Sequence, residues 1–312
     1  MARYIANRIV GMVVVMFLVL TATFIIVRLT PGDPAALMLG PEATAADITQ
    51  LRHSMGLDQP IPVQYVAFLL AAVHGDLGRS IFFNQPVLQV IFARAEPTTF
   101  LTLFSILIAV VIALPVGVLS AYWRGTWFDQ GALSTAMLLA SIPSFWLGLI
   151  FQQHLTGGGI LPVSGFGDPG SGFLDQMRYL ILPSLVLGLV NSALIIRFSR
   201  ASMLDVLSDD YVRTARAKGM SEWRVVLRHA FKNALIPIIT VVGLTFALLI
   251  SGAVVTERVF NLPGVGSLVV GAVLRRDYPL IQGTLIVIAG LYILINFAID
   301  MIYLLVDPRV RY

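Results

Sequence analysis

Six long apolar stretches constrain the fold of this chain more than any other feature of its sequence. The first, residues 9–27, runs for 19 residues without a charged side chain, about the length that an α-helix needs to cross the hydrocarbon core of a bilayer. Hydrophobic residues make up 57% of the chain and charged residues only 12%, about half the charged fraction of a soluble domain. The sequence therefore predicts an all-α polytopic membrane protein.

We predict six transmembrane helices. The first lies within residues 1–29, and we expect it to be retained because no small-residue cleavage site follows it. The other five are expected at about residues 98–122, 131–155, 179–196, 234–256 and 280–306. Four of these spans contain proline, at Pro115, Pro143, Pro183 and Pro237. Proline is tolerated in a span where neighbouring helices satisfy the freed carbonyl groups, so we expect the spans to pack into a bundle.

Residues 30–97 form a long polar insert that is predicted to carry short helices. Thr44 and Asp47 have the spacing of a capping box, which would open a helix that ends near Gly56. Pro62 suits the first turn of a second helix, which would end near Gly75. Two such helices on the membrane surface would make a small extracytoplasmic lobe, and the alternative is that the insert is only a spacer.

The distribution of lysine and arginine predicts the orientation of the chain. Of the 21 basic residues, 13 fall on the side that holds both ends of the chain and the connection between the fourth and fifth spans. Eight fall on the other side, four of them in the long insert or at its ends, where charge has little influence on orientation. The positive-inside rule then places both termini, including the tail at residues 307–312, in the cytoplasm.

A basic amphipathic segment, residues 209–237, lies between the fourth and fifth apolar stretches. Residues 209–218 predict a short helix, which Gly219 ends because glycine adopts backbone angles that strain other residues. Ser221 is placed as the N-cap of a second helix at residues 222–232. Apolar and basic side chains are interspersed there, so the segment could lie on a membrane face or present a shaped surface to another protein.

This segment is similar to the cytoplasmic coupling loop, or EAA loop, of ABC-transporter permeases. The loop pattern is Glu-Ala-Ala, three further residues and Gly, and the matching positions are Arg213, Thr214, Ala215 and Gly219. Arginine replaces the glutamate of the general pattern. RTARAKG followed by H-x-x-x-N-A-x-x-P at residues 229–237 is nevertheless typical of the dipeptide/oligopeptide/nickel branch of the family.

Five further short motifs occur in the order that this branch shows, over nearly the whole chain. They are TPGDP at residues 30–34, LDQP at 57–60, GDLGRS at 75–80, VFNLPGVG at 259–266 and DPRVRY at 307–312. Each motif is weak by itself. Together with the loop they identify the chain, by resemblance, as a permease of the binding-protein-dependent dipeptide/oligopeptide/nickel family, of the first-permease type.

The resemblance implies a type I ABC importer permease architecture, with a transmembrane core at residues 98–306 and a coupling loop at residues 205–233. It implies a bacterial cytoplasmic (inner) membrane protein that forms half of a translocation pathway for short peptides or a glutathione-like solute. Nickel chelates, opines and oligosaccharides are the alternative substrates. The implied partners are a homologous second permease, two ATP-binding subunits, an extracytoplasmic solute-binding protein and the lipid bilayer, with no nucleic acid. ATP and Mg²⁺ would be bound by the ATPase subunits, and no cofactor by this chain.

The coupling loop supplies the main candidate site. The residues expected to contact an ATPase are Arg213, Thr214, Ala215, Lys218, Gly219, Ser221, Glu222 and Trp223. The competing interpretation of this segment is a basic stretch that lies on anionic lipid.

Asp300, in the last span, is predicted to be the most buried charge of the chain. A carboxylate within a bilayer costs about 2.5–3.5 kcal/mol on insertion scales, so such a group normally faces the bundle or a partner. Asn296 lies one turn earlier on the same helix face. We expect the two to form a structural polar pair or to take part in gating, with proton relay as the third alternative. Arg197 and Arg200 follow the end of the fourth predicted span, where the helix dipole favours positive charge, so we assign them no further role.

Residues 260–264 predict a bent outward loop ahead of a short helix at residues 265–275. The loop contains four candidates for contact with the solute-binding protein, namely Phe260, Asn261, Pro263 and Gly264. The alternative is that this loop is only a packed connection between helices.

Several classes of function lack the residues that they need. The chain has no Gly-Lys dipeptide, so it contains no P-loop and is not expected to hydrolyse ATP or to act as an enzyme by itself. It has no cysteine, and its four histidines show no ligand spacing, so no metal site is expected. An ion-coupled secondary transporter, the alternative from a different class, would want paired acidic residues near the midplane, where only Asp300 offers itself. A purely structural membrane anchor is the other alternative.

Overall fold

The computed structural model describes residues 2–29, 34–39, 43–54, 56–155, 161–167, 170 and 172–306. Within these ranges the chain is helical and has no β-strand, only one isolated bridge between Arg79 and Pro86. The all-α prediction is therefore confirmed. Most of the TPGDP motif, the triple glycine at residues 157–159 and the tail at residues 307–312 lie outside the described residues.

The helices are numbered α1 to α14 in chain order. They are α1 (Ala2–Leu29), α2 (Pro34–Leu39), α3 (Ala45–Ser54), α4 (Ile61–Val73), α5 (Val87–Phe92), α6 (Ala95–Tyr122), α7 (Trp127–Ser141), α8 (Ser144–Leu155), α9 (Phe173–Leu207), α10 (Asp210–Ala217), α11 (Glu222–Arg224), α12 (Phe231–Val259), α13 (Val265–Leu274) and α14 (Tyr278–Val306). A π-helical turn, Val225–Ala230, joins α11 to α12.

Five helical segments of the described chain are long and apolar enough to cross a membrane, and they contain five of the six predicted spans. The third predicted span, residues 131–155, is interrupted at the proline that it contains. It is a pair of helices, α7 and α8, bent by 99°. The break follows from Pro143, which has no N–H to donate and forces the preceding Ile142 into an extended conformation, with φ −85° and ψ 124°.

Two other boundaries differ from those predicted. The helix that carries the fourth predicted span does not end at residue 196, because α9 continues to Leu207. The second short helix of the basic segment does not end at residue 232 either, because it runs through the π-helical turn into α12 as one helical segment, Glu222–Val259. Pro115, Pro183 and Pro237 all lie inside continuous helices.

The chain divides into two compact units. One comprises Met1–Glu96 with Leu268–Phe297, and the other comprises Pro97–Ser267 with Ala298–Tyr312. In the first unit, both predicted helices of the insert are present as α3 and α4, and α4 packs on α1 through a Thr21–Tyr65 side-chain hydrogen bond of 2.6 Å. The predicted capping box is also present, since Thr44 donates to Asp47 and the Asp47 N–H donates back. Those hydrogen bonds to the carboxylate lower the pKa of Asp47.

The second unit is built around α9, which packs against α7, α8 and α12. Its buried core includes Leu101, Leu180, Leu187 and Leu249. Small residues bring α6 and α9 together, because a Cβ at Gly117 would lie 2.7 Å from the Cβ of Ser199. Small residues at helix contacts are typical of packing between membrane helices, where backbones must approach closely. The close approach holds the end of α6 against the second half of α9.

Candidate functional site

Residues 209–224, called the knob below, form a helical corner at the start of the long α12 segment. Its two arms, α10 and α11, are joined by residues 218–221. Gly219 has a φ of +77°, and no atom lies within 4 Å of where its Cβ would be. The corner therefore needs glycine for its backbone conformation and not for lack of space. Ser221 occupies the predicted N-cap position of α11, but its side chain makes no capping hydrogen bond.

The knob has a small apolar core of its own. Val212 and Val225 are fully buried, and Ala215 is 7% exposed. Leu207 and Met220 pack against these three side chains. Ala215, one of the eight predicted contact residues, is thus part of the inner packing and presents almost no surface to a partner.

A bidentate ion pair closes the corner of the knob. Nε of Arg216 lies 3.0 Å from one carboxylate oxygen of Glu222, and Nη2 lies 3.3 Å from the other. Exposed pairs of this kind contribute about 0–1 kcal/mol to folding. Their parallel geometry nevertheless fixes the angle between α10 and α11, because the guanidinium and the carboxylate must be coplanar to make both bonds.

The inner side of the knob is attached to the spans. Val226 and Ala230, in the π-helical turn, are fully buried in a cluster that includes Val118 of α6 and Met203 of α9. Trp223 stacks on Tyr122, the last residue of α6, with ring centroids 5.6 Å apart and an interplanar angle of 26°. The knob and the π-helical turn that follows it are therefore packed directly against the ends of α6 and α9.

Polar contacts add a second attachment, between α10 and α12. The amide of Asn233 donates to Tyr211 Oη at 2.7 Å and to the carbonyl of His229 at 3.1 Å. His229 and Asn233 are two positions of the H-x-x-x-N motif, for which the sequence alone gave no structural role. Their contacts hold the first arm of the knob against the start of α12.

The outer face of the knob carries basic, hydroxyl and aromatic groups. Six of the eight predicted contact residues are exposed there, namely Arg213, Thr214, Lys218, Gly219, Ser221 and Trp223. Glu222 is half-buried in its pair with Arg216. Trp223 remains 51% exposed despite its stacking. An exposed basic surface with an exposed aromatic side chain suits recognition by another protein, since Trp and Arg are enriched at the centres of protein interfaces.

Two family models match the chain over nearly its whole length. Residues 113–312 match the model for the inner membrane component of binding-protein-dependent transport systems. Residues 1–111 match the model for the N-terminal part of such membrane components. The chain belongs to this family.

Curated relatives of this permease match it from end to end. The probable peptide ABC transporter permease protein y4tP of Sinorhizobium fredii is 42% identical over 313 residues, covering 100% of both chains. The glutathione transport system permease protein GsiC of Escherichia coli is also 42% identical over 313 residues, with the same coverage. The chain is thus an ABC-type permease, a multi-pass transport component of the bacterial inner membrane.

Solved structures with the same fold support the type I architecture. Two inward-facing structures of the MetNI methionine ABC transporter match the permease with TM-scores of 0.58 and 0.57. Sequence identity is 18% and 19%, and each match covers 70% of this chain and 97% of the solved chain. At this identity the likeness shows the fold alone.

A buried ion pair close to the knob was missed by the sequence interpretation. Arg200 was assigned to a helix end, but α9 continues past it and its guanidinium binds Asp129 of α7, with Nε and Nη2 at 2.6 and 2.8 Å from the two carboxylate oxygens. Asp129 is 2% exposed and also accepts from Ser120 Oγ and from the N–H of Gly125. The pair ties together α6, α7 and α9 of the permease. The only signal in the sequence is that an acidic residue directly precedes the third predicted span and a basic residue follows the end of the fourth.

Glu257, and not Asp300, is the most buried acidic residue among those described. Glu257 is 0% exposed, whereas Asp300 is half-buried. The carboxylate of Glu257 accepts from Thr98 Oγ1 at 2.6 Å and from the N–H of Ser267 at 2.8 Å. The first turn of α13 thus contacts this carboxyl group, whose oxygen accepts from one of the N–H groups that a helix leaves free at its start.

Asn296, the predicted partner of Asp300, lies on the surface of α14. The Asn296 amide is exposed and donates to the carbonyl of Tyr292 at 2.9 Å. Its pairing or gating role with Asp300 stays a prediction.

Phe260 is 1% exposed and Gly264 is buried, so both belong to the interior of the permease. Asn261 is exposed and Pro263 half-buried, so contact with a binding protein at this loop stays a prediction for these two residues. Within the described residues, no group of three or more acidic or histidine side chains could hold a metal ion.

Proposed function

We propose that this permease forms half of the translocation pathway of an ATP-driven importer, and that its knob receives the force from a partner ATPase. The observation that carries the proposal is the two-sided construction of the knob. Its outer face is exposed and basic. On its inner side Trp223 stacks on α6 and Tyr211 is bound by Asn233 of α12, and the adjoining π-helical turn packs against α6 and α9 through Val226. A lever needs this combination of a free contact surface and a stiff attachment.

The proposed orientation follows the positive-inside rule. The knob and both chain ends lie in the cytoplasm, where an ATPase can reach the knob, and the insert and residues 260–277 face outward. The bent pair α7–α8 completes the sixth crossing, so that α1 and α14 bring both ends of the chain to one side.

The proposed assembly contains a second, homologous permease, two ATPase subunits and an extracytoplasmic solute-binding protein. ATP and Mg²⁺ belong to the ATPase subunits, since this chain has no P-loop sequence. Closure of the ATPases around ATP would push the knobs and switch the bundle between outward and inward openings. No cofactor is assigned to this chain.

The proposed substrate is a short peptide or a glutathione-like solute. Support comes from the relatives named above, one a probable peptide permease and the other a glutathione permease, each 42% identical to this chain. Nickel chelates, opines and oligosaccharides are the alternative substrates within the same importer class. An ion-coupled secondary transporter is the alternative from another class, and it would need paired acidic residues near the midplane, where the sequence predicted only Asp300.

Reconstitution tests the proposal. The permease, its sister permease, both ATPases and the solute-binding protein are assembled in vesicles, and solute uptake is measured with ATP or with an ion gradient. We expect uptake only with ATP and with all components present. Uptake by this chain alone, driven by an ion gradient, would show instead that it is a secondary transporter.

A matched pair of glycine variants tests the role of the knob in that system. Gly219 and Gly170 both have positive φ, +77° and +97°, and both have open space where a Cβ would be. Alanine at either position therefore meets a similar backbone penalty of about 1–2 kcal/mol. We expect Gly219→Ala to lower solute transported per ATP hydrolysed about threefold or more, and Gly170→Ala to leave that ratio unchanged. If both variants transported the same amount of solute per ATP hydrolysed, the knob would not be the element that couples ATP hydrolysis to transport.

A further inference from the structure

A second surface of the permease is organised around one buried carboxylate, Asp277, at the start of α14. Asp277 is 1% exposed. One of its oxygens accepts from Ser80 Oγ and from the N–H of Phe82 at 3.0 Å, and the other accepts from the N–H of Leu280 at 3.2 Å. Ser80 Oγ in turn accepts from the N–H of Phe83 at 3.0 Å. Asp277 therefore fixes the loop at residues 79–86 against the turn that precedes α14.

Three exposed arginines lie on this scaffold and are called the arginine patch. Arg79 donates through Nη2 to the carbonyl of Asn84 at 2.9 Å. The guanidinium of Arg275 lies 3.5 Å above the centre of the Phe82 ring, which leaves the N–H groups at its edge free to bind. Arg276 is held in the turn at a φ of +54°, and its guanidinium makes no ion pair with any described residue. The fold thus holds the side chains of Arg79 and Arg275 and the backbone of Arg276. None of the three makes an ion pair with a carboxylate of the described residues.

The position of the arginine patch runs against the positive-inside rule. Because α6 ends beside the knob and α12 begins close to it, the connections that directly precede α6 and directly follow α12 face outward in the proposed orientation. Neither α5, with 6 residues, nor α13, with 10 residues, is long enough to cross. Arg275 and Arg276 therefore occupy a short outward connection, the kind of segment in which lysine and arginine are depleted.

We propose that the patch formed by Arg79, Arg275 and Arg276 is a docking surface for an acidic face of the extracytoplasmic solute-binding protein. The inference rests on the proposed function, which supplies that partner on the outward side. Guanidinium groups bind carboxylates through two parallel hydrogen bonds, and fixed guanidiniums do so with little further loss of side-chain freedom. Anionic lipid, by contrast, attracts basic segments by charge alone and needs no buried scaffold to hold them.

Charge reversal in the assembled transporter tests the docking surface. The transporter is placed in nanodiscs of neutral lipid, and binding of the labelled solute-binding protein that supports uptake in the vesicle assay is measured. We expect the double variant Arg275→Glu/Arg276→Glu to weaken Kd at least tenfold at low salt, mainly through slower association, with the difference shrinking as salt is raised. Arg258→Glu is the matched control, since Arg258 is exposed on the same side but outside the patch, and we expect its Kd to stay within twofold of wild type.

Three further results decide the interpretation. The milder variant Arg275→Gln/Arg276→Gln, which removes charge with little change in size, should weaken binding about threefold and keep basal ATPase activity. Binding equal to wild type in either double variant that assembles overturns the proposal. A loss of affinity that occurs only in nanodiscs with anionic lipid also overturns it, because the patch would then bind lipid.

The binding assay in nanodiscs and the uptake assay in vesicles together separate this inference from the proposed function. A wild-type complex that imports solute with ATP, combined with variants that bind the partner normally, refutes the patch alone. A wild-type complex that does not use ATP for uptake refutes the proposed function itself.

Discussion

Asp129 and Arg200 lie 71 residues apart in the chain and meet as a bidentate pair inside the helical unit. The side chain of Asp129 is only 4% exposed and that of Arg200 20%. Removing one partner of such a pair leaves a poorly solvated charge, which is a larger loss than the pair contributes as a whole. A substitution of either residue alone is therefore expected to destabilise the fold more than the intact pair stabilises it.

Asp129→Asn is expected to destabilise the permease by about 2–3 kcal/mol, below the usual range for a fully buried pair because Arg200 can still reach some water. The measurement is thermal unfolding in detergent, followed by tryptophan fluorescence. Asp175→Asn is the control, since the Asp175–Arg178 pair is exposed and its atoms lie 3.7 Å apart, so its loss should stay within about 0.5 kcal/mol. Similar unfolding temperatures for the two variants would contradict this view of the buried pair.

At the scale of elements, the corner between α12 and α13 depends on a carboxylate enclosed by glycines. A Cβ at Gly264 would overlap the Glu257 carboxyl group, and a Cβ at Gly266 would lie 2.6 Å from the Cα of Val254. The glycines let the first turn of α13 approach Glu257 closely enough for the Ser267 N–H to bind it. Thr98 then links this corner to α6, by donating to Glu257 and accepting from the N–H of Val265.

Gly264→Ala should displace either Glu257 or the start of α13 and lower stability by about 1–3 kcal/mol, the usual range for overpacking. Gly271→Ala is the matched control, since Gly271 lies in α13 and no atom lies within 4 Å of where its Cβ would be. Alanine there should be neutral or slightly stabilising, because it favours the helix over glycine. Folded yield and thermal unfolding in detergent measure both effects, and equal behaviour of the two variants would argue against a tight corner.

For the whole molecule, membrane orientation is the property that links the knob to an ATPase and the arginine patch to a binding protein. The chain contains no cysteine, so single cysteines can be introduced without a background. Lys218 and Arg276 are both exposed, in the knob and in the patch respectively. With a membrane-impermeant maleimide added outside intact spheroplasts, we expect Arg276→Cys to be labelled and Lys218→Cys to react only after the membrane is permeabilised. Labelling of Lys218→Cys alone in intact spheroplasts would show that the orientation is the reverse of the one proposed. Labelling of both variants would show that the two sites do not lie on opposite sides of the membrane.

The amino-acid sequence by itself determined the all-helical membrane class, most span positions, the two insert helices and the location of the knob. These features are local, because each depends on the length of an apolar run, a capping pair such as Thr44 and Asp47, or the backbone freedom of Gly219. The order of the short motifs also determined the family, since that order is a property of the chain and not of its folding.

Only the tertiary structure decided which polar side chains are buried and how they are paired. Glu257 meets Thr98 across 159 residues of sequence and Asp129 meets Arg200 across 71, and no periodicity or motif encodes contacts at such separations. The tertiary structure also distinguished Pro143, where the chain bends by 99°, from Pro115 and Pro183, where the helices continue. The physical reason is the same in each case, because burial and the satisfaction of freed polar groups depend on neighbours that only the packed helices bring together.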